Sequence, residues 1–126
     1  MKVSAYHLSM RENDMKRATT AVVINQGYGG FGISVEAGHA LQARGVKIDF
    51  FNGYRGESCA YLPHDFPRHD PRLVQVVRQL GPAASGELAT LGIVEITGTR
   101  YRITEYDGAE SIETPDSIDW ITVEGA

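Results

Sequence analysis

The stretch Gly27-Tyr28-Gly29-Gly30-Phe31-Gly32 carries the clearest chemical pattern in the chain. Gly27-x-Gly29-x-x-Gly32 has the letters of the dinucleotide-binding fingerprint, and it stands between a strand-like run and a helix-like one. Backbone amides freed by glycine at a helix N-terminus favour an anionic group such as phosphate. Asp49, 22 residues beyond Gly27, stands near where a ribose-binding acid would sit. The same spelling also suits a tight turn that brings Phe31 inward. A full dinucleotide-binding domain needs further strand-helix-strand units, and the C-terminal third turns to hairpins instead.

Arginine is the second signal. Nine arginines against three lysines is an uneven choice, and Arg55, Arg68 and Arg72 fall in or beside one long loop. The planar guanidinium grips phosphate with two hydrogen bonds and stacks on bases. Tyr28, Phe31, Tyr54, Tyr61 and Phe66 lie in the same segments and suit stacking on a nucleobase. The competing reading pairs these arginines with the surplus of acids: 16 acidic residues face 12 basic ones, a net charge of −4.

Other chemistry is weakly signalled. His64-Asp65 and His69-Asp70 repeat a dipeptide, but their spacing fits no standard zinc pattern, and Cys59 is the only thiol. They read as polar loop residues, with Asp70 as a helix cap and His39 on a helix surface. No serine elbow, metalloprotease pair or phosphate-loop lysine is present, and Glu110 and Glu113 read as solvated charge. The sequence therefore leans away from catalysis, and it calls for no cofactor and no resident metal.

The elements that would hold these residues are legible in outline. The composition, 42% hydrophobic and 22% charged, is that of a compact protein. Fourteen glycines in 126 residues is about 11%, against roughly 7% on average. A single cysteine excludes an internal disulfide, no apolar run approaches the roughly 20 residues of a membrane span, and the negative charge argues against general nucleic-acid binding. Residues 1–17 read as an N-terminal arm, or else as an edge strand or small helix used in oligomer contacts, and residues 18–126 as one domain. Residues 21–25 predict a buried strand, and residues 35–44 a helix capped by Ser34 and ended by Gly45. Residues 46–51 predict a second strand, and residues 52–71 a long irregular loop. Asp70-Pro71 opens a helix over 71–80 that Gly81-Pro82 stops, and residues 85–90 add a helical turn. Strands follow at 91–97, 100–106 and 109–113, the last two joined by the Asp107-Gly108 hairpin turn, and a final apolar run covers 118–123. The predicted fold is α+β: β-loop-α-β, a second helix and a C-terminal β-meander, with two helices packed on a mixed sheet.

The strings VVINQGYGGFGIS, DPRLVQVVRQLGPAASGELATLGIVEI and EYDGAESI resemble a widespread group of small bacteriophage and prophage proteins, over about residues 21–121. Members share the strand, Asn, Tyr-Gly-Gly-Phe-Gly and Ser run, the Asp-Pro helix, a Val-Glu-Ile strand and Glu-Tyr-Asp-Gly. Here Thr97-Gly98-Thr99 stands where relatives continue with Pro-Asp-Asp. The resemblance implies phage origin and action in the cytoplasm of an infected bacterium. By class analogy it suggests an anti-defence sponge of the Thoeris or CBASS kind, which sequesters a cyclic ADP-ribose isomer or cyclic oligonucleotide in a homo-oligomer without catalysis. The candidate ligand contacts are Asn25, Gly27, Tyr28, Gly29, Gly30, Phe31, Gly32, Ser34, Arg55, Arg68 and Arg72. The rival functions are an inhibitor that binds a host protein directly, and a small nucleotide-processing enzyme using His64 or His69.

Overall fold

The apolar run that opens the fold is covered on both faces, which is why it lacks polar alternation. The structure is a computed structural model describing residues 19–53, 56–117 and 119–123. The predicted arm at residues 1–17, and Tyr54 and Arg55, lie outside the described residues. Strand β1 (Thr19–Asn25) pairs antiparallel with β4 (Leu91–Thr97), in register from Thr19↔Thr97 to Asn25↔Leu91. Val23 faces the main core with Leu41, Leu73, Val76 and Val77. Val22 and Ile24 face a second cluster with Ile96, packed by Tyr101, Ile103 and Ile112. Each fully buried Val or Leu contributes about 1.5–3 kcal/mol, so the strand anchors two cores at once.

Two helices cover the main core. Helix α1 (Val35–Ala43) starts where the Ser34 side chain accepts from the Ala37 amide at 3.0 Å. It buries Ala37, Gly38 and Leu41. Helix α2 (Pro71–Leu80) has Asp70 as cap and proline in its first turn, buries Leu73, Val74, Val76 and Val77, and ends at Gly81. A 3₁₀ turn at Gly81–Ala84 follows. The helical turn expected at residues 85–90 is not formed. That segment lies against the glycine loop, with the Gly86 amide on the Gly32 carbonyl at 2.9 Å and a Ser85–Ile33 bridge.

Three expectations about strands are corrected. The second strand, β2, spans Asp49–Gly53 and not 46–51, because the Val46 amide is drawn to the Leu41 carbonyl at the end of α1. Val46 and Ile48 are buried all the same. The predicted long loop contains strand β3 (Gly56–Tyr61), antiparallel to β2 through Phe50↔Ala60 and Phe51↔Cys59. No mixed sheet forms among the described residues. Every sheet described is a two-stranded antiparallel pair, and the free side of β1 is met by the loop before α2. There the Val23 amide donates to the Arg68 carbonyl at 2.9 Å, leaving no edge for β2 to join in parallel.

The C-terminal meander is likewise reduced to one hairpin. Strands β5 (Arg102–Tyr106) and β6 (Ala109–Glu113) pair from Arg102↔Glu113 to Tyr106↔Ala109. Asp107 and Gly108 have φ of 53° and 89°, as a type I′ turn requires. The hairpin packs on the second cluster and does not extend the β1–β4 ladder. Residues 119–123 form no strand, and Trp120 and Ile121 are 80% and 93% exposed. No helix among the described residues is long and apolar enough to cross a membrane.

Candidate functional site

Asn25 is fully buried at the end of β1, and each of its side-chain atoms has partners. Its Oδ1 accepts from the Thr90 amide at 2.7 Å and the Gly27 amide at 3.3 Å. Its Nδ2 donates to the carbonyls of Gly27 and Gly108 at 2.8 and 2.7 Å. One amide side chain thus fastens the glycine loop to Thr90, just before β4, and to the β5–β6 turn, which is how a buried polar group avoids a desolvation penalty. The loop packs closely enough that glycine is required at two contacts. A Cβ on Gly29 would overlap the Leu88 carbonyl oxygen, and one on Gly108 would overlap the Tyr28 carbonyl oxygen.

The loop delivers Phe31 to the main core as a half-buried side chain. Arg68 lies over the Phe31 ring, its guanidinium carbon 3.5 Å from the centroid, within cation–π range. Glu110 of β6 grips the same guanidinium with two oxygens, at 2.7 and 2.9 Å. One of those oxygens also accepts the Asn25 amide at 2.8 Å. The pair is well shielded, with side-chain exposures of 20% for Arg68 and 9% for Glu110. The reading of Glu110 as solvated charge is therefore corrected. Its side chain, opposite Glu105 in the hairpin, is turned toward β1 and Arg68. Burial pushes its carboxyl up, but the hydrogen bonds from Arg68 and Asn25 and the charge of Arg68 outweigh that and hold it below its ordinary value.

Beside this knot opens a cleft of about 540 Å³, walled by Phe31, Tyr61, Phe66, Arg68 and Tyr101, with Asp65 at its edge. That is within the usual range of small-molecule sites, about 300–1,000 Å³. The Tyr101 hydroxyl lies 2.6 Å from Nδ1 of His69, with the rings edge to face. Burial pushes the Tyr101 phenol up, against the nearby charge of Arg68.

The structure brings Phe31, Gly32 and Arg68 together in this cleft, with the two predicted stacking residues Tyr61 and Phe66. Gly29, Gly30, Gly32 and Ser34 border a second hollow of about 430 Å³ across the loop. Asn25 and Gly27 are occupied in the knot, Tyr28 is 72% exposed, and the Ser34 hydroxyl donates to the Ala83 carbonyl at 2.6 Å. Arg72 stands outside the cleft, bonded to Asp70 through Nε at 3.0 Å and a terminal nitrogen at 2.9 Å. Sequence reasoning missed Tyr101 and Glu110. Both had a signal, since period-two alternation turns Tyr101 inward with Ile103 and Glu110 inward with Ile112.

The described histidines are separated: His64 contacts Asp65 at 3.2 Å, His69 contacts Tyr101, and His39 stacks on Phe50 at 4.5 Å. Among the described residues, no group of three or more His, Cys, Asp or Glu side chains could hold a metal ion. Compared with protein-family models, curated proteins and solved structures, the chain matches none of them.

Proposed function

We propose that the protein binds and sequesters a nucleotide-type signalling molecule without changing it, as anti-defence sponges of phages do. The observation that supports this reading is the aromatic cleft beside Arg68, whose size and flat walls suit a nucleobase. Within this reading the protein acts as a homo-oligomer in the cytoplasm of an infected bacterium, in keeping with the phage-like motifs. The test is retention. Purified protein is mixed with cyclic ADP-ribose isomers and cyclic oligonucleotides, washed and heat-denatured, and the supernatant is analysed. Intact ligand in the supernatant is expected. Recovery of degraded products would turn the reading to an enzyme, and no retained nucleotide would overturn it.

A second reading, direct binding of a host protein, is favoured by Trp120, Ile121 and Val123, which are 80%, 93% and 73% exposed. A pull-down from host lysate that depends on these three side chains would support it; a sponge needs no protein partner.

A further inference from the structure

The charges around the cleft restrict which end of a nucleotide it can take. Arg68 is the one cation among the residues described as lining it. Both terminal nitrogens of Arg68 are already held by Glu110, at 2.7 and 2.9 Å, and one also reaches the Val23 carbonyl at 3.2 Å. Asp65 adds a second carboxylate at the cleft edge. An entering phosphate would therefore meet one cation already paired with Glu110, and a second carboxylate, Asp65, which His64 contacts at 3.2 Å. Besides its remaining N–H groups, whose charge Glu110 compensates, Arg68 offers the face of its guanidinium, set over Phe31 beside Tyr61, Phe66 and Tyr101. Flat rings and a neutralised guanidinium attract a heterocycle by stacking, which needs no charge on the ligand.

We infer that the cleft recognises the uncharged base-and-sugar end of a nucleotide and leaves its phosphates outside, with Glu110 as the positioning residue that neutralises Arg68 and fixes its plane. This rests on the binding function proposed above and specifies how that binding discriminates. The geometry requires Glu110 for two separate reasons. It fastens Arg68 over Phe31, and it cancels the charge that would otherwise read phosphate.

The experiment titrates the full chain by calorimetry with adenosine, guanosine, their 5′-monophosphates and inorganic phosphate. At least one nucleoside is expected to bind with its monophosphate no more than about tenfold tighter, tenfold being the scale of one charge-assisted hydrogen bond. Inorganic phosphate is expected not to compete. A monophosphate advantage beyond about tenfold, or competition by inorganic phosphate, overturns the inference and leaves the proposed function standing. Absence of binding by all five compounds also overturns it, and the retention experiment then decides the proposed function separately. In Glu110→Gln the uncompensated charge of Arg68 is expected to raise the monophosphate-to-nucleoside preference by about tenfold. A purely structural role would weaken both ligands together, and an unchanged preference removes Glu110 from the proposal.

Discussion

Arg68 and Arg72 are four residues apart, and each grips a carboxylate with two nitrogens, yet they stabilise the molecule in different ways. Arg68 reaches Glu110 across 42 positions and joins the loop before α2, strand β1 and the β5–β6 hairpin. Arg72 reaches Asp70, two positions back, on the surface at the start of α2, with 41% of its side chain exposed. The first pair closes a long loop in shielded surroundings, and the second tidies one helix end that a cap already holds. A bidentate distance alone does not measure an ion pair; its burial and the elements it connects do.

The largest break is expected at Glu110→Ala. It leaves the Arg68 guanidinium and the Asn25 amide without their acceptor, and the cost is about 3 kcal/mol or more in urea unfolding. Replacing both partners with apolar residues, Arg68→Met with Glu110→Leu, should cost clearly less, because no charge is then left stranded. A double replacement as costly as the single one would show that the shape of the knot matters more than its charge. Asn25→Ala comes next, at about 2 kcal/mol, since it orphans the Thr90 amide and the carbonyls of Gly27 and Gly108. Loss of protection at the Thr90 amide in hydrogen exchange would locate the effect.

Acid offers a gentler way to open the same knot. The carboxyl of Glu110 is held below its ordinary value of 4.5, so its contribution is fully present above that pH. It declines as the pH falls through the lowered folded value, because the unfolded chain takes up the proton first. Stability measured from pH 7 downward should therefore begin to fall below about 4.5, and Glu110→Gln should flatten that decline. An equally steep decline in the variant would assign the acid sensitivity to other carboxylates.

The same contrast explains what the sequence could reveal. Helix α2 is announced entirely by neighbours: Asp70-Pro71 at one end, Gly81-Pro82 at the other and apolar spacing between, so its bounds are readable to the residue. The β5–β6 turn is equally local, since Asp107-Gly108 accepts the positive φ the turn needs. Strand β3 is not local. Gly56-Glu57-Ser58-Cys59-Ala60-Tyr61 holds few good strand formers and is extended by pairing with β2 and by the bridge from Ile33 to Ala60. Residues 118–123 show the converse, strong strand formers that find no ladder in residues 119–123. In the candidate site, Phe31 and Arg68 were legible as residue types. Their stacking and their dependence on Glu110 were not, because alternation with Ile112 turns Glu110 inward but does not name a partner 42 positions away.

The smallest effects belong to the Arg72 side and test the contrast from below. Asp70 does two things there: its carboxylate accepts the Arg72 amide at 2.9 Å as a helix cap and also holds the Arg72 side chain. Asp70→Ala removes both and should cost about 1 kcal/mol, the usual value of an N-cap. Arg72→Ala removes only the exposed ion pair and should cost clearly less than Asp70→Ala. The hydrogen bond from the Arg72 side chain is the main reason the Asp70 carboxyl lies below its ordinary 3.8, so this variant should also move that titration upward in NMR. If Arg72→Ala proved as costly as Glu110→Ala, position in the fold would not be what separates the two pairs. A small loss of stability with a clear rise in the Asp70 titration would show an ion pair that tunes a carboxylate without holding the fold together.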